Sequence, residues 1–228
     1  MPIWSSVLNF LCPPICTGCN HLGEPPLCAN CLSAIPHHQT FFCATCSARL
    51  PDARKTCHPD TPYILGAATD FSAEPIHNAI HALKFQGIRS AAEPLGNILA
   101  DYALGLPLTL REFVLLPIPL SPERARERGY NQAELIAQVL AKRTGCTLTK
   151  DWLTRPLNRE AQSLAKSRAA RATNIAGCFL VPKPETVSGA KIILVDDVAT
   201  SGATLAEAAR TLRHAGAGKV IALVVARA

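Results

Sequence analysis

The stretch KIILVDDVATSGAT (191–204) narrows what this chain can fold into. A continuous apolar run reads as a strand buried on both faces, which is how strands sit inside a parallel sheet. The run ends in two adjacent carboxylates, Asp196 and Asp197. A turn of small and hydroxylic residues follows. Thr204-Leu-Ala-Glu207 then reads as a capping box that opens a helix ending at Gly216. KVIALVVAR (219–227) supplies the returning strand.

The same alternation runs back to about Tyr63. YILGAATDF (63–71) reads as a strand or hairpin, and PIHNAIHALKF (75–85) as a helix with Ile76, Ile80 and Leu83 on one face. AAEPLGNILADYAL (91–104) is a second helix, and EFVLLPIPL (112–120) a buried strand entering a proline-rich loop. Asn131 and Glu134 have the spacing of a capping box for a helix running to about Arg143. Strands alternating with helices predict an α/β fold over 61–228, a mostly parallel sheet with helices on both faces. No apolar run reaches the roughly 18 residues that span a bilayer, so no membrane insertion is expected.

Residues 1–60 are of another kind. Eight of the ten cysteines lie between Cys12 and Cys57, and no periodicity is sustained there. A segment so poor in apolar residues needs a metal to fold, so 1–60 reads as a small zinc-ribbon-like module. Cys16-x2-Cys19-x8-Cys28-x2-Cys31 offers one zinc ion four thiolates. Cys43-x2-Cys46 and Cys57 begin a second site, whose fourth ligand would be His58, His37 or His38. Ligand pairing across the two knuckle pairs stays open, and Cys12 reads as a buried structural cysteine. The N-terminus lacks the basic start and cleavage site of a secretory signal, which predicts a reducing, cytoplasmic location. The module has three basic and three acidic residues, so a structural or protein-docking role suits it better than DNA binding.

The basic charge lies elsewhere. Residues 124–171 carry eleven Arg and Lys against four Asp and Glu, which points to phosphates, either of a nucleotide or of a nucleic acid backbone. The turn at 198–204 is a natural anion site, since the free N–H groups of the next helix and the hydroxyls of Thr200, Ser201 and Thr204 converge there. Asp196 and Asp197 would repel that anion. They need hydroxyl donors or a cation, and a phosphorylated ribose satisfies the acids and the loop together.

IILVDDVATSGAT (192–204) resembles the signature of type I phosphoribosyltransferases, which bind phosphoribosyl pyrophosphate (PRPP) with Mg²⁺. The resemblance implies that Asp196 and Asp197 meet the ribose hydroxyls as the catalytic pair. It places the 5′-phosphate on Thr200, Ser201, Gly202, Ala203 and Thr204. The segments ALKFQG (82–87), PIPL with RGYNQ (117–132) and R-x2-Q-x5-R-x5-N (159–174), in this order and with the cysteine module, resemble the ComF/ComFC family of competence proteins. That likeness covers nearly the whole chain. It implies Lys84, Arg124, Arg128, Arg159, Arg168 and Arg171 as contacts for pyrophosphate or DNA. It further implies natural transformation, single-stranded DNA as a ligand, and a competence helicase or other DNA-uptake proteins as partners.

Three readings follow. The chain is a DNA-handling competence protein that binds PRPP, an active phosphoribosyltransferase of nucleotide salvage, or a PRPP sensor without turnover. No stretch after Gly216 reads as a hood for a nucleobase, which counts against salvage. The 5% aromatic content counts against DNA, because few rings, Phe85, Tyr130 and Phe179 among them, lie near the basic stretches. His77 and His81, one helical turn apart, read as surface or core residues.

Overall fold

A computed structural model of the chain describes residues 15–22, 26–52, 57–58, 60–156 and 177–228. Its centre is a seven-stranded sheet. In chain order the strands are β1 (Phe41–Cys43), β2 (Arg49–Leu50), β3 (Ile64–Asp70), β4 (Val114–Pro117), β5 (Thr147–Leu148), β6 (Lys191–Ala199) and β7 (Lys219–Arg227). Across the sheet they run β2-β1-β3-β7-β6-β4-β5. The five strands from β3 to β5 are parallel, while β1 is antiparallel to both neighbours.

The helices are α1 (Ala29–Ser33), α2 (Glu74–Phe85), α3 (Ala92–Leu104), α4 (Pro122–Arg128), α5 (Gln132–Thr144), α6 (Pro184–Val187) and α7 (Ala203–His214). Strands β6 and β7 alternate their apolar residues between two layers. Ile193, Val195, Ile221 and Leu223 pack against Ile76, Leu83, Leu95 and Ile136 of α2, α3 and α5. Ile192, Leu194, Val220 and Ala222 pack against Leu205, Ala208 and Leu212 of α7. Each face therefore buries a full helical layer, which explains the unbroken apolar runs 192–195 of β6 and 220–226 of β7. Helices α3 and α5 close to backbone distance at Gly96, where a Cβ would lie 2.5 Å from Val139 Cβ. Among the described residues no helix is long and apolar enough to cross a membrane.

Two expectations need correction. Thr204 does not cap α7: the cap position is Gly202, in the left-handed region at φ 70°, and the Glu207 carboxylate accepts from Gly177 N and Arg210 instead. Asn131 does cap α5, but through Ala133 N at 3.0 Å, and Glu134 pairs with Lys150 rather than closing a box. Strands β1 and β2 have no counterpart in the sequence reading. They continue the central sheet into the cysteine-rich segment. Cys16, Leu27, Cys28, Cys31, Ile35 and Phe41 belong to the same core as α2 and α3.

Candidate functional site

The two acids sit where the sheet opens. Strand β4 pairs with β6 as far as Val195, whose carbonyl accepts from Ile118 N at 2.9 Å. Beyond that point, among the described residues, only β7 follows β6, and β4 turns away into Pro119 and Leu120. A cleft of about 590 Å³ opens there, at the C-terminal ends of the parallel strands, which is the usual ligand position in open α/β sheets. Its walls include Lys84, Arg124, Arg128, Arg155, Asp196, Asp197, Thr200 and Thr204.

Strand alternation sends the acids to opposite layers. Asp197 follows Val195 towards α2, where Lys84 Nζ lies 2.7 Å from its Oδ1. Asp197 is only 2% exposed, and its Oδ2 has no hydrogen-bond donor among the described residues. Buried carboxylate oxygens are rarely left so. Asp196 turns towards the loop and accepts from Asp197 N at 2.9 Å. Burial at the cleft floor, and then the neighbouring Asp197 charge, raise its carboxyl to about 7 against the opposing pull of Lys84.

The loop folds as its residues require. Gly202 takes its positive φ, and a Cβ there would lie 2.7 Å from Tyr63 Oη. Ser201 Oγ accepts from Ala203 N at 3.4 Å. Residues 199–205 close with Asp196 around a small cavity of about 40 Å³ at the N-terminus of α7. We expect Gly202→Ala to destabilise the protein by about 1–2 kcal/mol through backbone strain alone, a fall in Tm of about 5 °C. The Tyr63 contact adds to that, so Gly202→Ala/Tyr63→Phe should melt above the single variant in a thermal scan. Equal Tm values would show that the hydroxyl exerts no pressure on the loop.

The arginines come from a short helix. Ser121 Oγ caps α4 at Arg124 N, and Gly129 ends it in the left-handed conformation. One turn apart, Arg124 and Arg128 share a side. Arg128 Nη1 donates to Gln132 Oε1 at 2.8 Å, and its Cζ lies 5.3 Å from the centre of the Phe85 ring. Arg155 is an addition that no motif marked. Arg159, Arg168 and Arg171, with Gln162, Lys166 and Asn174, lie outside the described residues, as does Cys12.

The cysteines form two separate clusters, without pairing across the knuckles. Cys16, Cys19, Cys28 and Cys31 hold their thiols within 4.8 Å of one another, as do Cys43, Cys46, Cys57 and His58 with Nδ1. Each set can hold a metal ion. His58 completes the second set, while His38 Nε2 lies 3.1 Å from Asp70 instead and His37 is exposed. Against the desolvation that burial brings, the N–H groups of Cys28, Cys19 and Gly18 pull the Cys16 thiol down to about 6. Cys43 falls to about 6 in the same way, against desolvation, through Cys46 and Thr45. Each cluster thus holds one thiol that readily ionises, as a ligand must.

Residues 60–228 match the model of the phosphoribosyl transferase domain. The chain is 30% identical over 222 residues to the DNA utilization protein YhgH of Salmonella typhi, covering 91% of this chain and 94% of that protein. It is 29% identical over 233 residues to competence protein F of Haemophilus influenzae, covering 96% and 98%. With competence protein ComFC of Bacillus subtilis it shares 42% identity over 106 residues, 46% of this chain and 40% of that one.

Proposed function

The chain belongs to the phosphoribosyl transferase family, in its ComF branch, and from that premise we propose that it is a cytoplasmic DNA-handling protein of natural transformation that binds Mg-PRPP in the cleft and single-stranded DNA along the same basic walls. The observation that carries the PRPP reading is Oδ2 of Asp197, an acceptor without a donor among the described residues, in the wall of a cleft that also holds Thr200 and Thr204 of the turn. Ribose hydroxyls supply such donors. The 5′-phosphate then lies against the N–H groups and hydroxyls of 200–204, at the positive end of α7. Arg124, Arg128 and Arg155 face the pyrophosphate, and Lys84 keeps the Asp197 charge compensated. Mg²⁺ entering with PRPP would screen the pyrophosphate charge next to the acids. The DNA reading is supported by these same arginines and by the printed names of the relatives.

Both cysteine clusters are read as structural zinc sites. A tetrahedral ion with Zn–S bonds of about 2.3 Å holds its sulfurs about 3.8 Å apart. Cys16–Cys31 and Cys19–Cys28 are each separated by 3.7 Å.

Titration calorimetry of Mg-PRPP into the zinc-loaded protein tests the site. Saturable one-to-one binding is expected, and absence of heat and of competition by inorganic pyrophosphate would remove the PRPP reading. Release of pyrophosphate with any of a panel of bases would instead make the chain an active transferase. The reading also fixes a pH dependence. Asp196 keeps its proton up to about 7, and the protonated acid accepts ribose hydroxyls poorly. Mg-PRPP affinity should therefore rise as pH increases, by up to about tenfold per unit below that value, and level off above it. A flat profile between about pH 6 and 8 would show that Asp196 stays ionised or does not meet the ligand.

A further inference from the structure

We propose that the ring stripe Phe71, His77, His81 and Phe85 is a stacking face for the bases of single-stranded DNA at the lip of the cleft. The proposal rests on the DNA reading above and gives it a location. Helix α2 buries Ile76, Ile80 and Leu83 and leaves His77, His81 and Phe85 exposed at four-residue steps. A helix rises about 1.5 Å per residue, so such steps set side chains about 6 Å apart. Successive ring centres lie 5.0, 6.3 and 4.9 Å apart from Phe71 to Phe85, and the two imidazoles are within 22° of parallel. The stripe is therefore continuous.

Three observations favour nucleic acid as its occupant. Phe85 is 66% exposed, and the other large hydrophobics exposed among the described residues are all aliphatic. Phe71 and Phe85, the two ends of the stripe, both line the cleft that holds Arg124 and Arg128. The Arg128 guanidinium stands 5.3 Å from the Phe85 ring centre, placing a phosphate partner beside a base partner. Proteins that hold single strands without sequence preference combine these two parts, stacked rings and a cationic track. A small anion would use the arginines and leave the rings in water.

The test compares two labelled oligonucleotides of about fifteen nucleotides, a length within the usual site size. One is oligothymidylate. The other is abasic, with the same phosphates and no rings. Fluorescence anisotropy with the zinc-loaded protein should show thymidylate bound about tenfold more tightly than the abasic strand. Phe85→Ala should weaken thymidylate binding about tenfold and leave abasic binding unchanged. The slope of affinity against salt, which counts phosphate contacts, should stay the same. His81→Ala should show the same selective loss. Equal binding of both strands by the wild type, or equal weakening of both by the variants, overturns the stacking face and leaves the basic cleft standing. If the wild type binds neither strand at low salt, the DNA reading falls and the stacking face falls with it.

Discussion

Asp197→Asn should weaken Mg-PRPP binding by at least about a hundredfold. The amide preserves the shape of the side chain and removes its charge. Hydrogen bonds to an ionised group contribute about 1.5–3 kcal/mol each, and on the proposed reading the carboxylate accepts from ribose hydroxyls. Losing the charge-assisted part of two such bonds amounts to about 3 kcal/mol, or two factors of ten in affinity. The variant also leaves Lys84 beside a neutral amide. Asp197 is 2% exposed, but Lys84 is 23% exposed and can turn its ammonium towards the cleft, so the folding cost should stay below the roughly 3–5 kcal/mol of a fully buried pair. Calorimetry and a thermal melt on the same sample separate the two effects. Unaltered affinity would place the ribose away from Asp197. A collapse in Tm would mean that the acid serves the fold, with binding lost only as a consequence.

Stripping the metal should have the largest effect on stability. Cys16, Cys28 and Cys31 are at most 6% exposed and pack with Leu27, Ile35 and Phe41 in the core that also holds α2. Without an ion these four thiols take up protons and lose the bonds that tie this edge of the core together. Structural zinc contributes about 10–16 kcal/mol in isolated finger peptides. Even a third of that, at about 2–4 °C per kcal/mol for a chain of this size, lowers Tm by about 10 °C or more. Chelation and Cys16→Ser should both do this. Elemental analysis should find two zinc ions per chain, with Cys57→Ser losing one and disturbing the core less, because Cys46 and Cys57 are exposed. A chelated protein that melts unchanged would show that the first cluster needs no ion.

Some of this arrangement is legible in the residues and some is not. Strands β6 and β7 stand out because both faces are buried, so their apolar runs have no polar interruption until the acids. The turn after β6 is legible because a glycine among small hydroxylic residues marks a break between a strand and a helix. Strands β1 and β2 escape because three residues and two residues are too short to show a period. The capping box at Thr204 fails for a physical reason: the left-handed Gly202 lets the helix begin two residues earlier, and Glu207 finds Gly177 N and Arg210 as partners. Composition left three histidines for the second metal site, and only the turn that brings Cys57 and His58 to Cys43 chooses among them. Arg155 enters the cleft from a segment without a motif. The ring stripe is spread over Phe71 and three positions of α2, and each ring alone reads as an ordinary surface residue.

On the proposed reading, one cleft serves both PRPP and single-stranded DNA. The most direct test of this is fluorescence anisotropy of a labelled single-stranded oligonucleotide with the zinc-loaded protein, at low and moderate salt, with and without Mg-PRPP. The predicted result is salt-sensitive binding that saturating Mg-PRPP reverses, because Arg124 and Arg128 cannot hold both sets of phosphates. Binding that is indifferent to Mg-PRPP, or none at low salt, would contradict it.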